Sequence, residues 1–223
     1  DECLNVILEC WSPAECGAEA ITDILLGKYN PAGRLPVTVA YSAGQIPLYY
    51  NHPNGSAWHQ GGSIGFADYV DCPHQPRYPF GFGLSYTQFL YDHLALSAKE
   101  ISPDESLTIT AEIQNVGGMD GDEVVQLYIS DRFASRTRPG QELAGFCRMR
   151  LRAGEKKTVR FALQPSQLAF LDKNMRWKIE KGEFAVRIGA SSEDIRLEGA
   201  FRMTEDAWID GKTRSMMADV TTD

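Results

Sequence analysis

Residues 51–77 gather most of the side chains in this sequence that could do chemistry: His52, His59, His74, Trp58, Tyr69, Asp68, Asp71 and Cys72. Imidazole, carboxylate and thiolate are zinc ligands, but His52, His59, Asp71, Cys72 and His74 lack the short spacings of a compact site. Pro73 also stiffens the step from Cys72 to His74, so no metal is expected here. Asn54-Gly55-Ser56 has the form of a glycosylation acceptor and reads more simply as a turn. A connection this long is unusual in a compact domain unless it serves a function. Elsewhere, Glu15 stands three residues after Ser12, where a capping box accounts for it without catalysis. Arg148, Arg150 and Arg152 alternate along one segment and read as a solvated strand face.

These residues need elements to hold them. Residues 4–10, mostly apolar, read as a short strand buried on both faces. Ser12, Pro13 and Glu15 signal a helix start, and Ala18, Ile21, Ile24 and Leu25 supply one apolar face before a stop at Gly27. One strand followed by one helix is a single step of a parallel sheet, whose other strands must lie upstream or in another chain. The apolar edge at residues 4–8 is therefore expected to drive self-association, a swapped arrangement or marginal order. Tyr29-Asn30-Pro31-Ala32-Gly33 reads as a turn leading into an extended segment. The stretch YPFGFGLSYTQF, residues 78–89, combines ring area with glycine freedom and suits a packed seam better than a flexible linker. Beyond it the period becomes two: Leu107, Ile109, Ala111 and Ile113; Val125, Leu127 and Ile129; Val159, Phe161 and Leu163; Phe184, Val186 and Ile188. About seven strands between Phe89 and Met203, separated by turns such as Asn115-Val116-Gly117-Gly118, indicate an antiparallel β-sandwich of immunoglobulin or fibronectin type III kind. The tail after Met203 is polar and aperiodic, and is expected to wrap back through Trp208.

Composition narrows the function. With 43% hydrophobic and 23% charged residues the chain is an ordinary globular one, and a net charge of −8 leaves no basic footprint for nucleic acid. No apolar run reaches the length of a membrane span. Five cysteines without a CxxC pair favour reduced thiols and a cytoplasmic setting. The opening at Asp1-Glu2-Cys3-Leu4 reads as a boundary within a longer polypeptide, with any targeting segment lying elsewhere.

Several blocks together resemble the C-terminal half of family-3 glycoside hydrolases, the β-glucosidases, β-xylosidases and related enzymes. They are GKYNPAGRLPVT (27–38), GQIPLYYNH (44–52) and the 78–89 seam, then GDEVVQLY (121–128), Arg138-Pro139, ELAGF (142–146), Gly182-Glu183-Phe184 and IGASS (188–192). The similarity covers about residues 6–202. It implies a mainly β fold: residues 1–87 as the terminal βα portion of an α/β sandwich domain, including the long loop 51–77, residues 88–202 as a fibronectin type III-like β-sandwich, and residues 203–223 as a tail.

The resemblance also implies a parent enzyme that removes terminal β-linked glucose or xylose from oligosaccharides with retention. Such hydrolysis needs two carboxyl groups about 5–5.5 Å apart. In the family, the nucleophile sits on a barrel and the acid/base upstream of the matched region, so no catalytic residue is assigned to this chain and the isolated chain is expected to be inactive. No cofactor is implied. The partners implied are the oligosaccharide substrate and the upstream barrel and sandwich domains. The loop is expected to line the rim of the sugar site, with Trp58, His59, Tyr69 and Asp71 as substrate-binding candidates. Relatives often carry a basic residue at the position of Tyr41 and another shortly after the turn Asn54-Gly55-Ser56-Ala57-Trp58, and both departures leave the sugar preference open. The alternative is a stand-alone carbohydrate- or protein-binding sandwich. An exposed aromatic stripe is not evident, because Trp177 and Tyr128 lie in patterns that read as core.

Overall fold

A computed structural model describes residues 4–53 and 73–223 of the chain. The alternating segments form strands: β1 (Phe89–Leu96), β2 (Glu100–Ile101), β3 (Leu107–Asn115), β4 (Gly121–Asp131), β5 (Glu142–Leu151) and β6 (Lys156–Leu163). The short β7 (Phe170–Leu171) and β8 (Trp177–Ile179) follow, then β9 (Gly182–Gly189) and β10 (Ile195–Met203). Seven of these strands have eight or more residues, the number the periodicity indicates.

One sheet runs β1-β3-β6 and the other β2-β10-β9-β4-β5, antiparallel apart from the β2–β10 pair. In β3, residues 107, 109, 111 and 113 are fully buried while their neighbours face outward, as a half-covered pleat requires. Leu107, Ile109, Phe161 and Leu163 of one sheet and Val125, Leu127, Val186 and Phe201 of the other form a single core. Asn115 closes the β3–β4 turn from inside: its carbonyl accepts from Thr87 Oγ1 (2.7 Å) and the Gly117 N–H (3.1 Å), and its amide donates to Met119 O and Leu151 O.

β4 departs from simple alternation, because Gln126 and Tyr128 are as buried as Val125 and Leu127. The upstream part of the chain covers its outer face. Phe80 stacks on Tyr50 (4.4 Å between centroids), and Tyr50 meets Tyr128 edge-on at 6.0 Å. Gly81, at φ +80°, brings its backbone onto Gln126, where an added Cβ would lie 2.0 Å from Oε1. The 78–89 stretch is thus a packed seam, as its composition indicates.

The tail does more than wrap back. β11 (Ala207–Trp208) pairs with β8, and β12 (Asp219–Thr222) pairs with β6 as the outer strand of the first sheet. Trp208 Nε1 donates to Asp172 at 3.0 Å, so the expected return through Trp208 is present. The tail is not aperiodic throughout, because a free β6 edge offers backbone groups that the last residues pair.

Two expectations at the start fail. Residues 4–10 are irregular, with Leu4 62% and Val6 78% exposed. Extended backbone gains ladder hydrogen bonds only beside another strand, and among the described residues none pairs with it. Helix α1 (Gly17–Leu25) starts behind Cys16, without a side-chain cap, rather than behind Ser12. Trp11 sits at φ +49° with its N–H on Glu9 Oε1, and a Gly17 N–H to Ala14 O turn (2.8 Å) precedes the helix. That turn occupies the residues a Ser12–Glu15 capping box would need. The other end matches expectation: Gly27, at φ +69°, closes a Schellman motif with Gly27 N–H to Ile24 O and Lys28 N–H to Asp23 O. Among the described residues no helix is long and apolar enough to cross a membrane.

Candidate functional site

Trp58, His59, Tyr69 and Asp71 lie outside the described residues, as do Asn54 and Cys72. What the structure does give is both feet of their loop. On the incoming side, Pro53 forms an antiparallel bridge with Pro139, and the Gly140 N–H donates to His52 O at 2.8 Å. The Leu143 N–H donates to the Tyr50 hydroxyl at 3.2 Å, and burial raises the pKa of that phenol. His52 Nε2 accepts from the Tyr49 N–H at 3.0 Å, so this nitrogen is unprotonated in the contact. On the outgoing side, the buried Gln45 amide donates to Pro73 O (2.6 Å) and Gln75 O (3.2 Å), while its carbonyl accepts from the Tyr41 N–H. The Arg77 guanidinium lies over the Tyr41 ring at 5.1 Å. Tyr41 therefore serves as a platform for a cation at the loop's foot.

The sandwich grips this upstream framework through buried polar groups. Glu123 Oε1 accepts from Arg34 Nη2 (3.0 Å) and from the Tyr91 hydroxyl (3.0 Å). Burial and the adjacent Glu123 carboxylate push the Tyr91 phenol well above its ordinary range, which keeps it a donor. Gln126 donates to Gly81 O (3.1 Å) and Ala190 O (2.7 Å), and its carbonyl accepts from the Tyr128 hydroxyl at 2.6 Å. Asn30 donates to Asp120 O and accepts from Ser85 Oγ and the Tyr86 N–H. Contacts of this kind need fixed partner positions, so they set the angle between the two parts of the chain.

Local sequence pattern gives Arg34, Glu123 and Gln126 no role, and gives Asn30 only a place in a turn. The available signal was polarity out of phase: Glu123 shares the inward parity of Val125 and Leu127, and Gln126 interrupts an apolar run.

A cleft of about 200 Å³ opens beside Tyr50, lined among others by Asp131, Arg138, Glu142, Gln167 and Arg214. It contains two carboxylates, but both are committed to Arg138: Glu142 at 2.8 Å and Asp131 at 3.8 Å. Burial raises the Asp131 pKa, and the Arg138 guanidinium opposes that rise. A guanidinium between two carboxylates is an ion-pair clamp, not an acid and nucleophile flanking an open sugar position. Among the described residues no group of three His, Cys, Asp or Glu side chains converges to hold a metal.

The glycosyl hydrolase family 3 C-terminal domain model matches residues 1–86, and a fibronectin type III-like domain model matches residues 123–192. Residues 1–86 thus match the C-terminal domain of glycosyl hydrolase family 3. A periplasmic β-glucosidase of Salmonella typhimurium is 38% identical over 205 residues, 91% of this chain and 27% of the relative. A putative β-xylosidase of Formosa agariphila is also 38% identical, covering 86% of this chain and 24% of its own length. The crystal structure of a β-glucosidase from Listeria innocua in complex with glucose superposes with a TM-score of 0.82 at 35% identity, over 88% of this chain and 27% of that one. The chain spans about a quarter of the length of these relatives and is similar to their C-terminal portion. The mainly β architecture with a fibronectin type III-like sandwich agrees with both family matches.

Proposed function

We propose that this chain is the bracing portion of a retaining β-glycosidase that removes terminal β-linked glucose or xylose from oligosaccharides. Its relatives are β-glucosidases and β-xylosidases, and both reactions fit the same family framework. We assign the reacting carboxyl groups to other parts of the parent polypeptide: the cleft beside Tyr50 holds its two carboxylates on Arg138, and of Glu19 and Asp23 in the open groove along α1, Asp23 is paired with Lys28 at 3.2 Å. The chain's own contribution is to hold residues 29–53 and 78–86 rigidly against the sandwich. Through them it presents the 54–72 segment to the sugar, with Trp58 and Tyr69 as stacking rings and His59 and Asp71 as hydroxyl partners. The observation that carries this reading is the buried seam of Arg34, Glu123 and Tyr91, which joins the two parts through charge-assisted hydrogen bonds.

The test is hydrolysis of nitrophenyl β-glucoside and β-xyloside by the complete polypeptide, with the first-formed anomer read by proton NMR. Turnover of at least one substrate with retention of the β configuration is expected. Inversion, or no turnover of any β-glycoside, contradicts the proposal.

A further inference from the structure

The cleft beside Tyr50 holds polar atoms that its ion-pair clamp does not use. Asp131 and Gln167 both line it and are only 7% and 8% exposed. Among the described residues, no donor lies within hydrogen-bond distance of Asp131 Oδ2 or Gln167 Oε1. Arg138 Nη1 stands 3.8 Å from Asp131 Oδ2, near enough to balance its charge and too far to donate to it. The Gln167 nitrogen donates to Ala144 O (2.6 Å) and Met216 O (3.4 Å), and two carbonyl partners fix which end of the amide is the oxygen. Arg214 Nε is a third buried atom without a partner, although its guanidinium is fixed by the Nη2 bond to Gln167 O (3.1 Å) and by the Trp177 ring at 4.9 Å. Buried polar atoms in folded proteins are nearly always hydrogen-bonded, so two oxygens and one N–H left over around one opening call for a common partner.

Charge, lining and size restrict that partner. Asp131 and Glu142 are offset by Arg138 and Arg214, so the lining favours neither an anion nor a cation. Ile129, Phe184 and Met216 add an apolar wall. A volume of about 200 Å³ is below that of a pocket for drug-sized ligands and suits a much smaller molecule. A hydroxyl both donates and accepts, so neighbouring hydroxyls on one carbon skeleton satisfy the two oxygens and the Arg214 N–H together. An ammonium group only donates and a phosphate or carboxylate anion mainly accepts, so neither matches the set.

We propose that this cleft binds a small neutral polyhydroxy compound of monosaccharide size through Asp131, Gln167 and Arg214. Arg138 keeps hold of both carboxylates, so the compound is bound and not cleaved. The inference does not rest on the proposed glycosidase function, and it gives the sandwich a ligand of its own.

The test is a titration of the isotopically labelled 223-residue chain, whose sandwich has a continuous core of its own, followed by NMR at the Arg214 Nε–H and the Ala144 amide. The probe is D-glucose, with inorganic phosphate and methylammonium as charged comparisons. Saturable shifts with a Kd in the low millimolar range are expected for glucose, about what so small a ligand reaches, and none for the two ions. D131N, which loses one acceptor, is expected to weaken binding about tenfold. M216W, which enlarges a 71%-exposed side chain at the cleft and spares the buried groups, is expected to abolish binding. R160M, which alters a pair on the first sheet, should bind as the wild type does. No saturable shift at Arg214 up to about ten times the expected Kd overturns the inference and leaves ordered water as the partner of these atoms. Tighter binding of phosphate or methylammonium than of glucose overturns it too, as does wild-type affinity in folded M216W.

Discussion

Glu123 and Arg34 have side chains 4% and 8% exposed, and they come from opposite sides of the seam. Removing one charge strands the other in a place water does not reach. E123L is therefore expected to lower stability by roughly 3–5 kcal/mol, the usual cost of breaking a buried pair from one side. The R34M/E123L double variant removes both charges and should recover most of that loss. Urea unfolding of the two variants and the wild type checks this, and a loss below about 1 kcal/mol in E123L would mean the pair is not buried as described. This pairing was beyond reach of the sequence. The two residues are 89 positions apart, and nothing local to Arg34 marks a partner. The candidate loop residues were legible only as types, because Trp58, His59, Tyr69 and Asp71 announce polar and aromatic chemistry without fixing where it points.

At the level of elements, the alternating strands were plain because the period of two follows directly from one wet face and one dry face. Leu107 through Ile113 show this, each second residue being fully buried. β4 was harder, since a second cover on its outer face comes from residues 50, 80 and 81, far away in sequence. The expected strand at residues 4–10 misled for the converse reason: apolar composition signals burial, and burial needs a neighbour. The expected cap at Ser12 gave way to a turn that local propensity does not encode. The tail's docking depends on Asp172. Its carboxylate accepts from the backbone N–H of Arg176 and Asn174 and from Trp208 Nε1, which together hold its pKa down at about 2. The folded pKa lies below the unfolded one, so this stabilisation is complete above the ordinary aspartate range near 3.9 and is lost as pH falls through about 2. D172N is expected to lower stability at pH 6 and to flatten the acid side of the stability profile between about pH 4 and 2. Thermal unfolding across that range reads the difference. Parallel acid limbs in the two proteins would remove Asp172 from the account.

Across the whole molecule, burial is uneven in a way that bears on function. The sandwich has a continuous core, while α1 buries no residue and Leu4, Val6, Ile7, Leu25 and Leu26 stand exposed. The upstream part of the chain is thus held on its sandwich side and bare on the other. A support whose outer apolar face meets further protein would look like this, consistent with relatives about four times as long. The central claim is that this chain supports a sugar-cleaving centre without containing its reacting carboxyl groups. The most direct measurement is turnover of nitrophenyl β-glucoside and β-xyloside by the purified 223-residue chain at high protein concentration. No product above the uncatalysed background is the predicted result, and steady release of nitrophenol that co-purifies with the chain would contradict it.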